Sequence, residues 1–239
     1  MKHHPTSHPG ILYFGTPVVL ISTVNEDTSY NLAPISSVFW LGYRCMIGIG
    51  SRSKTTENLL RTKECVLNLP SVNEAEQVDR LALTTGSNPV PEHKRQKGYW
   101  YEPDKFKRAG LTPVSSESVG APGVAECPVQ LEARLKAVHR IGEDDEAAKG
   151  KILSLELDIV RVGLNPAILM EGHPDRVDPD KWRPLIMSFQ QLYGLGGQVR
   201  PSALATIPER LYRPDAVHLH ACPFPSHPSI PEATATVTT

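Results

Sequence analysis

The sequence predicts a mainly β protein, an antiparallel barrel with helical additions. Three features predict it: about six short runs rich in β-branched and apolar residues, turn chemistry between them, and no regular strand–helix alternation. The first run, "PVVLISTV" from Pro17, closes on the turn signal "NEDTS". "YNLAPISSVFWLG" follows as an extended run whose Pro34 predicts an edge, a bend or a bulge. In the third run, "YRCMIGIG", Gly48 and Gly50 mark where a ligand or another backbone comes close. Lys54 to Arg61 reads as a short helix and "ECVLNLP" as a buried strand. "NEAEQVDRLAL" places Ala75, Val78, Leu81 and Ala82 at helical spacing, an amphipathic helix.

Thr84 to Arg108 is long, polar and basic, with aromatics interleaved ("EHKRQKGYWYEPDKFKR"). Such a stretch is either a lid or binding loop, or a solvated charged loop. Two long strand-like runs come next, "VAECPVQLEARLKAVHRIG" and "KILSLELDIVRVGL", split by the acidic turn "EDDEAA". In the second, Leu153, Leu155, Leu157 and Ile159 alternate with Ser154, Glu156 and Asp158, which predicts a half-buried antiparallel strand. After Pro166, "DPDKWRPLIMSFQQLYGLGG" reads as a short helical or irregular segment. Its "GLGG" is a turn, because no strand precedes it and no helix follows, as a dinucleotide fold requires. Arg213 to Thr239 is proline-rich and without periodicity. The expected organisation is one barrel domain over 1–200 and an extension or tail over 201–239.

Lys and Arg total 25 against 26 Asp and Glu, so the chain is close to neutral. That excludes a dedicated nucleic-acid binder and a polybasic membrane-surface protein. The apolar runs fall short of the roughly 20 residues needed to span a bilayer. "MKHHPTSHPG" lacks the apolar core of a signal peptide, so a cytoplasmic location is expected. Cys45, Cys65, Cys127 and Cys222 form no C-x-x-C pair; the first three, beside apolar residues, read as buried small hydrophobes. In "HLHAC", a strand would put His218, His220 and Cys222 on one side, suited to zinc or copper, yet no fourth ligand is in sight. No metal is expected. His139 is either a structural histidine or a weak candidate for a place near a substrate.

G-x-S-x-G, H-E-x-x-H and Walker-type motifs are absent. Two other stretches carry the chemistry. "NLAPISS" (Asn31 to Ser37) follows the first strand pair, and "GSRSKTTEN" (Gly50 to Asn58) follows the third strand. Alone, "SRSKTTEN" is either a plain helix cap at Ser51 or Ser53 or a cradle for a phosphate. Together and in this order, with "NLLRTKECVLNLPS", "DKFKRAGL" and "AECPVQLEA", the stretches resemble the flavin reductase-like family of FMN-binding split barrels, which includes flavoredoxin-type proteins. The likeness covers roughly Ile11 to Val199.

The resemblance implies a six-stranded antiparallel split β-barrel, a homodimer, and FMN near the subunit interface. It implies that Asn31, Ala33, Pro34, Ile35, Ser36 and Ser37 lie beside the flavin ring. Ser51, Arg52, Ser53, Lys54, Thr55 and Asn58 would hold the phosphate and ribityl chain. Thr85, Gly86 and Lys94 would reach the same cofactor. A helix dipole contributes only about 0.3–1 kcal/mol, up to about 2 where partly buried. Micromolar retention needs about 8 kcal/mol, so charge-assisted bonds from Arg52 and Lys54 and burial of the ring are required too. The expected function is an FMN oxidoreductase passing electrons from NADH or NADPH to a flavin or another small-molecule acceptor. In that scheme no side chain has to be an acid, base or nucleophile. The alternatives are a non-enzymatic FMN electron carrier and a dedicated FMN enzyme for one organic substrate.

Overall fold

The computed structural model describes residues 3–212. Its centre is a seven-stranded sheet of β1 (Val19–Val24), β2 (Tyr30–Ile35), β3 (Val38–Leu41), β4 (Arg44–Gly50), β5 (Glu64–Leu69), β6 (Val129–Ile141) and β7 (Ile152–Leu164). The order is β2-β1-β5-β6-β7-β4-β3, and every neighbouring pair is antiparallel. The two edge strands, β2 and β3, are consecutive in the chain. Ile35 pairs with Val19 at one edge and Val38 pairs with Ile47 at the other, so the sheet has to curl round until its edges meet. Six strands were expected and seven are present, because the run from Tyr30 to Leu41 breaks at Ser36 and Ser37. Pro34 lies on the edge strand, where a missing N–H is tolerated.

The barrel is filled from its inner face. Val19, Ile21, Ile47, Leu67, Leu131, Leu155 and Leu157 share one buried cluster. The alternation in β7 holds: Leu153, Leu155, Leu157 and Ile159 are buried, while Glu156 and Asp158 face outward to Arg44 at 3.7 and 3.6 Å. The chain neighbours of Val19 are buried too. Val18 and Leu20 join Leu32, Val78, Leu81, Phe106 and Leu185 in a second cluster. Covered on both faces, β1 reads as a continuous apolar run and not as an alternating one.

Helix α1 (Lys54–Thr62) leaves the barrel directly after β4. Ser53 caps it, its Oγ accepting the Thr56 amide at 3.0 Å, and Leu59 enters the inner core. The helix stops at Lys63, whose φ of 62° turns the chain straight into β5. The helix expected across "NEAEQVDRLAL" is shorter: α2 is Ala75–Asp79, after a 3-10 turn at Val72–Glu74. Beyond Asp79 the Leu81 and Ala82 amides bond to Val78 and Asp79, three residues back, so the chain tightens into turns.

The 84–108 stretch is not a bare loop. Thr84–Thr85 pairs in parallel with Trp100–Tyr101, and α3 (Glu92–Arg95) and α4 (Lys105–Ala109) flank that pair. The segment after Pro166 is also more ordered than its sequence suggested. Leu185–Ser188 and Gln191–Gly194 form a hairpin that pairs with Phe14–Pro17. Its turn residues, Phe189 and Gln190, have φ of 45° and 64°. Such turns are normally signalled by Asn-Gly or Asp-Gly, so this one had no local signature.

The chain divides into Met1–Pro201 and a second unit that starts at Ser202. The described part of the second unit holds 3-10 turns at Ala203–Thr206 and Glu209–Tyr212. Among the described residues no helix is long and apolar enough to cross a membrane. Leu155 has no exposure at all, so Leu155→Ala should lower the unfolding free energy by about 2–5 kcal/mol. Urea denaturation checks this; a loss under about 1 kcal/mol would mean that the barrel interior is not the main core.

Candidate functional site

The curl of the sheet sets β2 against the first turn of α1. The Asn31 side chain, on β2 and 2 % exposed, donates from Nδ2 to Thr55 Oγ1 at 3.0 Å. Its other side-chain atom, Oδ1, is buried and has no hydrogen-bond partner among the described residues. Gly86, just past the Thr84–Thr85 strand, comes up against the same pair. A Cβ there would meet Asn31 Oδ1 at 2.6 Å and Lys54 Cγ at 3.1 Å. Asn31, Lys54, Thr55 and Gly86, drawn from three separate stretches of sequence, therefore touch at one place.

The remainder of β2 leads away from this point. Ala33, Pro34, Ile35 and Ser36 are half-buried and Ser37 is exposed. Ser37 lies against β4: its carbonyl accepts the Gly48 amide at 2.7 Å, and a Cβ on Gly48 would meet Ser37 Cβ at 3.2 Å. That close backbone approach is the reason for a glycine inside β4.

At the start of α1 the polar groups divide into engaged and free. Ser51 Oγ donates to Gly150 O at 2.7 Å, which pins it to the β6–β7 hairpin. Ser53 serves as the helix cap. Lys54 Nζ donates to Glu26 Oε2 at 2.8 Å and Glu57 Oε1 at 3.2 Å. The bond from Lys54 holds the Glu26 carboxyl down at about 2. Burial pulls the Lys54 ammonium down, but its bonds to Glu26 and Glu57 outweigh burial and raise it. Arg52 is exposed and has no hydrogen-bond or ion-pair partner among the described residues. The cap uses the Thr56 amide, and Glu57 bonds back to Ser53 O, which leaves the Lys54 and Thr55 amides at the open helix end. Asn58 is wholly buried; its amide donates to Thr23 Oγ1 at 3.0 Å and Asn25 Oδ1 at 2.7 Å, tying α1 to β1.

On the far side of Gly86, Thr85 Oγ1 accepts from Lys94 Nζ at 3.1 Å. Lys94 also lies 5.8 Å from the centre of the Tyr99 ring, and burial lowers its pKa. His139 stands on the outer face of β6, 3.6 Å from Glu156. Among the described residues no three His, Cys, Asp or Glu side chains gather as metal ligands, and His218, His220 and Cys222 lie outside those residues. Cys45, Cys65 and Cys127 are buried, and burial pushes the Cys45 thiol up to about 12.

Sequence reasoning missed Glu26, Glu57, Thr23 and Asn25. Glu57 had a signal, three residues after Lys54 on a helix. Glu26 had none, because its approach depends on the β1–β2 turn.

Residues 11–171 match the family of the flavin reductase like domain. The uncharacterized protein YdfE of Bacillus subtilis (strain 168) is 36% identical over 191 residues, 80% of this chain and 89% of that one. The structure is similar to flavoredoxin of Desulfovibrio vulgaris (Miyazaki F), with a TM-score of 0.66 and 21% identity over 86% of this chain and 99% of that chain. It is also similar to the 2-nitrobenzoate 2-nitroreductase NbaA of Pseudomonas fluorescens, with a TM-score of 0.63 and 16% identity over 83% and 89% of the two chains. With two thirds of its length matched by the domain, across the strands and helix that build the site, the chain belongs to the flavin reductase-like family.

Proposed function

We propose that this protein is an FMN-dependent oxidoreductase, with the cofactor held where β2, the start of α1 and Gly86 meet. The observation that carries the proposal is the contact of Asn31, Lys54, Thr55 and Gly86, with a buried Asn31 Oδ1 that lacks a donor. A buried acceptor without a partner is costly, and a ring N–H is the kind of group that would satisfy it. The residues present fit a flavin in two further respects. Small or glycine positions, Ala33, Ser36, Ser37 and Gly86, let a flat ring lie close to backbone. The free guanidinium of Arg52 and the open amides of Lys54 and Thr55 suit a phosphate.

The chemistry that FMN supplies when bound is hydride acceptance from NADH or NADPH and onward delivery of electrons. Binding and positioning fall to the chain. Arg52 and the α1 amides hold the phosphate, with Ser51 and Ser53 shaping the approach. Lys54, already shared by Glu26 and Glu57, contributes less charge than its position suggests. Thr55 orients the Asn31 amide, so that Oδ1 is the atom presented to a ligand. Asn58 anchors α1 from behind. Thr85, Gly86 and Lys94 border the opposite side. Backbone N–H groups near a bound ring would favour its electron-rich reduced form. Exposed Phe39, Leu41 and Tyr43 on and beside edge strand β3 support a homodimer, and the reading includes a cytoplasmic location. The acceptor is a small molecule; the likeness to the 2-nitrobenzoate 2-nitroreductase NbaA makes a nitro-aromatic acid one class to try first.

Anaerobic mixing of FMN-loaded protein with NADH or NADPH tests the enzyme reading. Bleaching of the flavin band is expected. If neither donor reduces the flavin, the protein is a carrier and not a reductase.

Arg52→Ala should weaken FMN binding by about 1–2 kcal/mol, roughly 5- to 30-fold, and leave riboflavin binding unchanged. Fluorescence titration with both flavins reads the difference. Gly86→Ala should weaken both flavins alike, because the new Cβ displaces Asn31 Oδ1. The Glu26 pKa of about 2 lies below the ordinary 4.5, so its pairing with Lys54 stabilises the fold above pH 4.5 and that contribution is lost as pH falls towards 2. Melting curves of wild type and Glu26→Gln should therefore differ at pH 6 and converge near pH 2.

A further inference from the structure

A phosphate at the open end of α1 meets fewer free donors than the sequence motif offers. Ser51 Oγ is committed to Gly150 O at 2.7 Å. Ser53 Oγ caps the helix and lies 2.8 Å from Thr56 Oγ1, which itself donates to Gly50 O at 2.8 Å. Thr55 Oγ1 accepts from Asn31. The groups left for an anion are the Arg52 guanidinium and the Lys54 and Thr55 amides.

Two carboxylates stand at the same place. Glu57 lies in the first turn of α1, and Glu26 reaches over from the β1–β2 turn. They hold Lys54 Nζ at 3.2 and 2.8 Å, and both are more exposed than the lysine between them. Glu26 Oε1 also lies 3.9 Å from Arg61 Nε. Among the described residues the helix end thus has Arg52, Lys54 and Arg61 against Glu26 and Glu57, and only Arg52 has no carboxylate. Negative charge in the first turn already answers the helix dipole, which is the same field that a phosphate would use. A phosphate arriving there is repelled by both carboxylates and gains the full charge of Arg52 alone. A ligand is still called for, because the buried Asn31 Oδ1, beside Thr55 and Gly86, has no partner among the described residues.

We propose that Glu26 and Glu57 act as an electrostatic brake on phosphate binding at α1, which makes the flavin an exchanging ligand and not a permanently held one. The identity of the ligand rests on the flavin reading; the brake itself acts on any phosphate at that helix end. Removing either carboxylate works twice in one direction. It deletes a repulsive charge and returns part of the Lys54 charge to the ligand.

Fluorescence titration of the flavin-free full chain with FMN and with riboflavin tests it, in wild type, Glu26→Gln and Glu57→Gln, with melting curves to verify folding. Both variants should bind FMN about two- to fivefold more tightly than wild type, and riboflavin equally well. The gain should shrink at about 0.5 M salt, where exposed charges are screened. A merely structural pairing predicts the opposite, since loosening Lys54 would weaken both flavins at any salt concentration. FMN-loaded wild type should lose its flavin on dialysis. Unchanged or weaker FMN binding in either folded variant, an equal gain for riboflavin, or retention of FMN through dialysis would overturn the proposal. Should Glu26→Gln fail to fold, Glu57→Gln, at an exposed position, decides alone. Calorimetry with inorganic phosphate separates this proposal from the flavin reading. A chain that binds neither flavin, yet binds phosphate more tightly in the variants, keeps the brake and refutes the flavin reading. Binding of neither flavin nor phosphate by any form refutes both.

Discussion

Two residues, Ser36 and Ser37, have to carry the chain from one edge of a seven-stranded sheet to the other. That constraint determines the rest. A flat sheet would leave β2 and β3 many strand spacings apart, at about 4.8 Å each, so the sheet curls. The curl turns Val19, Ile21, Leu67, Leu131 and Leu155 inward to a common core. It also brings β2 beside the start of α1, although β4, which α1 follows, lies next to the opposite edge of the strand order from β2. The Asn31–Thr55 bond is a consequence of that closure, and it joins two motifs that are some twenty residues apart in sequence. Gly48 permits the tight approach at Ser37 that lets the closure happen.

Electrostatics then sort the cations around the site. Five basic residues near it have different surroundings, and residue type alone did not distinguish them. Lys54 is neutralised by Glu26 and Glu57, and Arg61 reaches Glu26 as well at 3.9 Å. Among the described residues, Arg52 has no partner at the helix end, and Lys94 and Lys105 form no ion pair. A paired lysine holds structure together, and its charge is largely spent before a ligand arrives. The unpaired cations are the ones whose charge remains available to an anion.

Much of the fold was legible because its cues are local. The alternation in β7, the cap at Ser53 and the edge character of Pro34 all follow from spacing within a few residues. What stayed hidden depended on tertiary contact. The hairpin at Phe189 and Gln190 uses left-handed residues without a glycine, so no turn signal announced it. The helix at Ala75 ends early because its last expected turn tightens, with Leu81 still held in the outer cluster. The two motifs made Asn31 and Thr55 candidates and the long loop added Gly86, but their contact was visible only once the sheet had closed. Lys105 was invisible for the same reason: in sequence it is one more lysine in a basic stretch, and only its burial sets it apart.

The central claim is that the place where Asn31, Thr55 and Gly86 meet holds FMN. Equilibrium titration of the purified chain with FMN, followed by flavin fluorescence and absorbance, tests it most directly. The account predicts saturable binding of one FMN per chain in the micromolar range or tighter, with a perturbed flavin band. Folded protein that leaves FMN fluorescence and absorbance unchanged at saturating concentrations would contradict it.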